Sequence, residues 1–170
     1  MGRLTHKTKE MNRKEYNKCV DAHADGLYRF MLKNIGRTDD AQDIVQDVFL
    51  KLWEKVDTVD FEKAKSYLFT AAFRTMLDRI KKKKPVSTET TSFIEPHHDG
   101  QYNDVKEILD REVALLPDKQ KAAITLRDYE GYSYQEIGEI LEMNESQVKV
   151  TIFRARKTLK NKIGSAEVLI

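Results

Sequence analysis

Hydrophobic side chains recur along most of the chain at intervals of three and four residues, the spacing of one face of an α-helix. Before residue 85 this pattern predicts three helices, over 12–33, 39–55 and 62–84, and Asn34 and Gly36 form a stop signal after the first. After residue 103 it predicts four shorter helices, over 104–116, 117–130, 133–142 and 145–162. No segment shows the strict alternation of a half-buried strand. The expected fold is therefore all-α, with two small helical domains.

Residues 85–103 interrupt the helical periodicity. The segment is rich in Ser, Thr and His and contains Pro85, Pro96 and Gly100. We expect it to be a flexible linker between a first domain over 1–84 and a second over 104–170. His97 and His98 have no nearby Cys or carboxylate cluster beyond Asp99, so we interpret them as loop residues and not as metal ligands.

The second domain contains the signature of two helices joined by a short turn. Ser133 and Glu136 have the spacing of a capping box, which predicts a helix start. Gly138 leaves room for another helix to cross closely, and Asn144 is a good N-cap for the helix that follows. In that helix Val148, Ile152, Ala155 and Leu159 share one face, which we assign to the core.

The last predicted helix is basic, although the whole chain has a net charge of only +2. Residues 146–162 contain six Lys and Arg and no acidic side chain. This arrangement resembles a helix-turn-helix, whose second helix enters the major groove of DNA. We expect the start of the helix to approach base edges, through Ser146, Gln147, Lys149 and Val150. We expect phosphate contacts farther along, from Arg154, Arg156 and Lys157. The alternative is a solvated basic helix in a bundle.

The helix predicted over 39–55 is apolar over about half of its circumference, which is wider than a one-sided core stripe. Its opposite edge gathers Asp40, Asp43, Asp47 and Glu54. One interpretation is a deeply packed helix with a solvated acidic face. The other is that Phe49, Trp53 or the edge around Gln46 meets a partner protein. A carboxylate metal site is disfavoured because the Glu-x-x-His pairs of bundle metal sites are absent.

Aromatic residues precede a cationic run at the end of the first domain. Phe61, Tyr67, Phe69 and Phe73 come just before Arg74, Arg79 and residues 81–84, which are all Lys. Stacking surfaces beside a cationic track suit single-stranded nucleic acid. Core packing is the simpler explanation for most of the aromatic side chains, and solvation at a helix C-terminus is the simpler one for the lysines.

Several classes of protein are disfavoured by the sequence. The single cysteine, Cys19, cannot form an internal disulfide, and no secretory signal or run of eighteen apolar residues is present. We therefore expect a cytoplasmic protein. The chain also lacks a nucleophile with a positioned base, a phosphate-cradling glycine loop and a metal constellation, so we expect no enzyme, no cofactor, no metal and no small-molecule substrate.

From about Val20 to Ile163 the chain resembles the group IV, or extracytoplasmic-function, sigma factors. Residues 39–53, DDAQDIVQDVFLKLW, look like the region 2.2 of that family, and residues 67–69 through Asp78 look like regions 2.3 and 2.4. Leu116-Pro117, the segment 130–138, Val148-Lys149 and the segment 153–156 are similar to region 4. Each motif is weak alone, but together they occur in the order and at the spacing of the family.

This resemblance implies a DNA-binding transcription initiation factor that directs core RNA polymerase to promoters and assists promoter melting. Region 2.2 would bind the beta-prime clamp helices of core RNA polymerase, through Gln42, Asp43, Gln46, Asp47 and Phe49. The first domain would also capture the melted minus-ten element, through Phe61, Tyr67, Arg74, Arg79, Lys81 and Lys82. The second domain would bind the minus-thirty-five element of promoter DNA as duplex.

The resemblance further implies an anti-sigma factor as a partner, often membrane-bound in this family. Two residues depart from the family pattern. Arg74 replaces an Asn that often precedes the region 2.4 Asp, and Thr151 replaces an Arg in the recognition helix. The alternative is a stand-alone helix-turn-helix regulator that binds an operator without polymerase.

Overall fold

The computed structural model describes residues 11–82 and 103–167, with side chains described as far as residue 164. Residues 85–102 of the expected linker, with His97 and His98, and the polar segment 1–10 lie outside the described residues. Every described element is helical, which confirms the all-α class.

Three α-helices and one short 3-10 turn form the first unit. They are α1 (Arg13–Ile35), α2 (Thr38–Glu54), the turn Phe61–Lys63 and α3 (Ala64–Lys82). Asn12 caps α1, since its Oδ1 accepts a hydrogen bond from the Glu15 amide at 2.8 Å. Gly36 ends the helix with φ of 77°, a left-handed conformation that glycine adopts without a Cβ penalty.

Four further helices form the second unit. They are α4 (Asn103–Ala114), α5 (Asp118–Ile124), α6 (Tyr134–Leu141) and α7 (Glu145–Glu167). The helix predicted over 117–130 is not a single α-helix, because a π-helical turn, Thr125–Tyr129, follows Ile124. Ser133 caps α6 with the complete capping box, in which the Glu136 amide donates to Ser133 Oγ at 3.1 Å and the Ser133 amide donates to Glu136 Oε2 at 2.9 Å.

Each unit has an apolar core. In the first, the largest fully buried side chains come from all three helices and include Leu27, Phe30, Ile44, Leu52 and Phe69. In the second, Ile124, Leu126, Ile137 and Ile140 pack with the face of α7 formed by Val148, Ile152, Ala155 and Leu159, as the sequence predicts.

The two units pack against each other, an arrangement that the sequence pattern does not predict. Helix α3 lies on α6, and α1 lies on α5 and the π-helical turn. At the centre the Phe69 and Tyr132 rings meet edge to face, with 5.4 Å between centroids. Residues far apart in the chain therefore form one continuous body in this conformation.

No helix among the described residues is both long and apolar enough to cross a membrane. The described part of the chain also contains no group of three or more His, Cys, Asp or Glu side chains placed to hold a metal ion.

Candidate nucleic-acid and protein interfaces

The helix-turn-helix consists of α6, a turn at 142–144 and α7. Glu142 ends α6 in a left-handed conformation, with φ of 58° and ψ of 47°. Asn144 and Gln147 then cap each other, because the Gln147 amide donates to Asn144 Oδ1 at 2.8 Å and the Asn144 amide donates to Gln147 Oε1 at 2.9 Å. A side-chain oxygen of Gln147 is thus already used in capping, and its amide group retains the donors for a base.

Gly138 explains why the two helices approach so closely. A Cβ at this position would lie 2.6 Å from the backbone oxygen of Met143 and 3.6 Å from Val148 Cγ2. The expected close approach is therefore present, but the nearest neighbour is the backbone of the turn and not the second helix itself.

Helix α7 presents an exposed face on which the sequence-predicted upstream-element residues lie together. Ser146, Lys149, Val150, Arg154 and Lys157 are exposed and share this face or its edges. Lys149 forms an i, i+4 ion pair with Glu145, with 3.3 Å between Nζ and Oε1. A weak surface pair of this kind leaves Lys149 available to a stronger ligand.

Arg156 is held differently from its neighbours. Its guanidinium makes two hydrogen bonds to the Asp128 carboxylate, at 2.6 and 3.3 Å, and this contact raises the pKa of Arg156. The contact ties α7 to the π-helical turn. The Arg156 side chain nevertheless remains 50% exposed, and Arg154 and Lys157 are exposed as well, so the phosphate contact expected of Arg156 stays a prediction.

Phe153 is a residue of this face that the sequence analysis did not assign. Its side chain is 67% exposed, in the middle of the face that also carries Val150 and Arg154. An exposed aromatic ring at this place cannot serve the core, and it can make apolar contact with a thymine methyl group in the major groove. The sequence could have indicated this residue, because Phe153 lies three positions after Val150 and so shares its face of the helix.

The acidic edge of α2 is exposed as expected. Gln42, Asp43 and Gln46 face solvent, and Asp47 is partly exposed. Phe49 is different: only 8% of it is exposed, and its backbone oxygen accepts a hydrogen bond from Tyr16 Oη at 3.0 Å. The expectation that the Phe49 side chain contacts a partner is corrected here, because that side chain belongs to the core. The exposed apolar residues of α2 are Leu50, at 58%, and Trp53, at 43%.

The residues expected to capture single-stranded DNA are spread over α3 and the turn before it. Phe61 is exposed, Tyr67 is half-buried, and Lys81 and Lys82 project from the exposed end of α3. Phe69 and Phe73 are buried, in agreement with core packing for these two rings. Arg79 donates to Asp47 Oδ2 at 2.7 Å.

Arg74 has a partner that the sequence did not suggest. Asp78 lies one helical turn away on α3, but the guanidinium forms an ion pair with Glu142 at the end of α6. The Arg74 side chain stays 62% exposed, so the ion pair gives it a partner on the second unit without burying it.

Comparison with known proteins matches each of the two helical units to a protein family. The family model described as Sigma-70 region 2 matches residues 19–86, and that described as Sigma-70, region 4 matches residues 106–159. The RNA polymerase sigma factor SigV of Bacillus subtilis (strain 168) is 32% identical over 148 residues, which cover 84% of this chain and 87% of that protein. The chain belongs to the extracytoplasmic-function sigma factors.

Other members of the family give the same result. The sigma factor SigW of Bacillus subtilis (strain 168) is 29% identical over 161 residues, covering 85% of this chain and 86% of that protein. The fold also matches the sigma factor RpoE from Bartonella quintana, solved with the anti-sigma factor NepR, with a TM-score of 0.73, 24% identity and coverage of 89% of this chain and 98% of that one. Matches to both regions favour a sigma factor over a stand-alone regulator.

Proposed function

We propose that this sigma factor binds the clamp helices of core RNA polymerase through α2, the minus-ten element through α3, and the minus-thirty-five element through α7. The observation that carries the proposal is the separation of exposed charge by helix. Asp43 and Asp47 mark an acidic edge on α2, whereas Lys81 and Lys82 end α3, and α7 has no acidic side chain between 146 and 162.

The polymerase interface in this proposal combines the acidic edge of α2 with its exposed apolar side chains. Gln42, Asp43, Gln46 and Asp47 supply polar contacts, and Leu50 and Trp53 supply the apolar surface that Phe49 cannot. Buried aromatic anchors surrounded by polar groups are the usual centre of a protein interface.

The promoter interface is divided between duplex and single strand. The exposed face of α7 fits a major groove, with Lys149 and Val150 toward base edges and Arg154 and Lys157 toward phosphates. Phe61, Tyr67, Arg74, Arg79, Lys81 and Lys82 supply aromatic and cationic groups to an unpaired strand.

We also propose an anti-sigma factor as a partner. The sigma factor RpoE has been solved with the anti-sigma factor NepR, and CnrH, whose fold also matches, has been solved with the cytosolic domain of CnrY. The second match has a TM-score of 0.69 at 19% identity and covers 91% of this chain and 90% of that one. A cytoplasmic location is part of the proposal, because polymerase and promoters are there.

The test is reconstitution with core RNA polymerase and run-off transcription on genomic fragments, with strand opening measured by permanganate-reactive thymines. We expect discrete start sites that depend on the added protein. Arg74→Ala should leave polymerase binding intact and reduce the reactive thymines, while Arg111→Ala on α4 should behave as the unaltered protein. Absence of any protein-dependent start site would reject the proposed function, and unchanged thymine reactivity would remove Arg74 from the DNA interface.

A further inference from the structure

Asp128 and Arg156 join the π-helical turn to α7. The Arg156 guanidinium donates from Nη2 to Asp128 Oδ1 at 2.6 Å and from Nε to Asp128 Oδ2 at 3.3 Å. A two-point contact of this kind fixes the plane of the guanidinium as well as its distance. The Arg156 side chain is 50% exposed and that of Asp128 is 40% exposed, so the pair lies at the surface of the domain and not in its core.

Arg156 lies on the face of α7 that is proposed to meet DNA. It follows Lys149 by seven residues and Phe153 by three, which is the spacing of one helical face. All three residues are exposed. Recognition helices contact base edges with their N-terminal residues. An arginine two turns after Lys149 is therefore placed for the phosphate backbone and not for the base edges.

The contact with Asp128 leaves part of the Arg156 guanidinium for a second ligand. An arginine side chain carries five N–H donors. Asp128 accepts from Nε and from one hydrogen of Nη2, so it uses neither of the Nη1 donors nor the second donor of Nη2. Asp128 therefore orients Arg156 without occupying all of its donors.

Tyr134, the first residue of α6, supports the same side chain. The hydrogen bonds to Asp128 raise the pKa of Arg156, and a contact with the Tyr134 hydroxyl raises it further. The Tyr134 ring is held in turn by Arg127, whose guanidinium carbon lies 4.4 Å from the ring centroid and whose Nη1 donates to the backbone oxygen of Tyr132 at 2.9 Å. Two neighbouring residues of the π-helical turn thus support Arg156, Asp128 directly and Arg127 through Tyr134.

The π-helical turn places these two residues. Its hydrogen bond runs from the Glu130 amide to the backbone oxygen of Thr125, five residues earlier, at 3.1 Å. Such a turn is wider than an α-helical turn, so the side chains within it point in directions that a continuous α-helix would not give them. π-Helical turns are rare and occur frequently at functional sites. In this protein the turn carries the side chains that support Arg156.

Stability alone does not account for the pair between Asp128 and Arg156. Exposed ion pairs generally contribute little to the free energy of folding, because water screens them and two flexible side chains must be held in one geometry. Asp128 also brings a negative charge to a helix that has no acidic side chain between residues 146 and 162. By its charge alone, a carboxylate at this place would weaken the attraction of DNA phosphates. Preorganisation of Arg156 offsets that effect, since a side chain already held in place loses less conformational freedom on binding.

We propose that Asp128 is a positioning residue, which holds Arg156 in the orientation that contacts a phosphate of the DNA backbone. This inference rests on the proposed function, in which α7 binds duplex DNA. Arg156 presents its remaining N–H donors to the phosphate oxygens, and contacts of this kind fix the register of a protein on the duplex. Asp128 therefore acts on DNA only through Arg156.

Two substitutions separate positioning from the effect of charge. Asp128→Asn removes a negative charge, so charge alone predicts tighter DNA binding, whereas loss of positioning predicts weaker binding. Arg156→Lys keeps the charge, so charge alone predicts no change, but a lysine cannot make the two-point contact with Asp128. The matched control is Glu145→Gln, which removes a carboxylate that forms a simple i, i+4 ion pair with Lys149 on the same helix.

Binding is measured with the holoenzyme, assembled from the full chain and core RNA polymerase, on a fluorescein-labelled promoter duplex whose start site has been mapped by run-off transcription. We expect Asp128→Asn and Arg156→Lys each to bind about three- to tenfold more weakly than the unaltered protein, the range for one side chain that must be ordered on binding. Glu145→Gln should bind equally well or more tightly. Affinity of Asp128→Asn equal to or above that of Glu145→Gln overturns the proposal. If Asp128→Asn does not fold by circular dichroism, Arg156→Lys decides, and its unchanged affinity overturns the proposal.

Neutral phosphates distinguish positioning from a general loss of structure. Methylphosphonate replaces one phosphate at a time across the upstream part of the duplex, in both strands. For the unaltered protein, one of these replacements should weaken binding through loss of the Arg156 contact. The same replacement should have no effect on Arg156→Ala and a smaller effect on Asp128→Asn than on the unaltered protein.

An Asp128→Asn protein that binds weakly, yet responds to every methylphosphonate as the unaltered protein does, overturns the positioning of Arg156. Failure of the proposed function has a different signature. If the holoenzyme with the unaltered protein binds no promoter duplex, the proposed function fails and the phosphate contact fails with it. If it binds and the substitutions at Asp128 and Arg156 leave the affinity unchanged, only this inference fails.

Discussion

The Arg79 guanidinium and the Asp47 carboxylate join the end of α3 to the acidic edge of α2, with 2.7 Å between Arg79 Nη2 and Asp47 Oδ2. One residue of the pair is proposed to bind DNA and the other to bind polymerase. Both side chains are partly exposed, so the pair contributes at most about 1 kcal/mol to stability. Under the proposed function, a ligand that binds one residue of the pair would leave the other without this partner.

Reversal of the acidic edge should therefore weaken polymerase binding without unfolding the protein. We expect Asp43→Lys plus Asp47→Lys to compete poorly for core RNA polymerase in a fluorescence competition assay. Asp21→Lys plus Asp57→Lys makes the same charge change at exposed positions elsewhere and should compete normally. Arg79→Ala, which frees Asp47 and leaves its carboxylate in place, should retain polymerase binding. If the first variant folds by circular dichroism and competes as well as the control, α2 is not the interface.

Lys149 and Arg154 should affect duplex binding in different ways. Lys149 lies near the start of α7, so Lys149→Ala should relax sequence preference and cost about 1–3 kcal/mol on the preferred minus-thirty-five duplex. Arg154→Ala should weaken binding to every sequence and flatten the dependence of affinity on salt. Titration of preferred and scrambled duplexes at three salt concentrations makes the distinction. If Lys149→Ala lowers the affinity for every sequence by the same factor, Lys149 contacts phosphates and not base edges.

Gly138 and Gly164 offer a matched pair for stability. Gly138→Ala would place a Cβ 2.6 Å from the Met143 carbonyl oxygen, and the backbone of the turn would have to move. We expect a loss of about 1–3 kcal/mol in the free energy of unfolding. Gly164→Ala meets nothing within 4 Å in the same kind of helix and should stabilise the protein by about 0.5–1 kcal/mol. Urea unfolding of both variants measures the two changes. Equal midpoints would mean that the backbone of the turn moves to accommodate the new Cβ at little cost in free energy.

The features that the sequence predicted well are those set by neighbouring residues. Gly36 and Ser133 bound their helices as expected, because capping is a contact between residues three or four positions apart. The face of α7 that carries Val148 was likewise readable from helical spacing.

Features that depend on distant packing were not readable in this way. The hydrophobic pattern of α2 could not show which of its apolar side chains the other helices cover, so Phe49 was assigned outward although only 8% of it is exposed. The pair between Arg74 and Glu142 joins residues 68 positions apart through two polar surfaces, and no local pattern marks such a contact. The π-helical turn that ends α5 at Ile124 also lay within a segment whose spacing predicts a continuous helix.

Phe153 provides the most direct test of the proposed DNA face, because its side chain is 67% exposed and contributes little to the core. Phe153→Ala should change the free energy of unfolding by no more than about 0.5 kcal/mol, as is usual for surface substitutions. Affinity for the minus-thirty-five duplex should fall, and the loss should shrink when the thymines of that duplex are replaced by uracils, which lack the 5-methyl group. Leu115→Ala is the matched control, since Leu115 is also a large exposed apolar residue, at 73%, but lies after α4 and outside the recognition helix. A loss of equal size with thymine and with uracil would assign Phe153 to general packing against the DNA backbone, and unchanged affinity would exclude it from the interface.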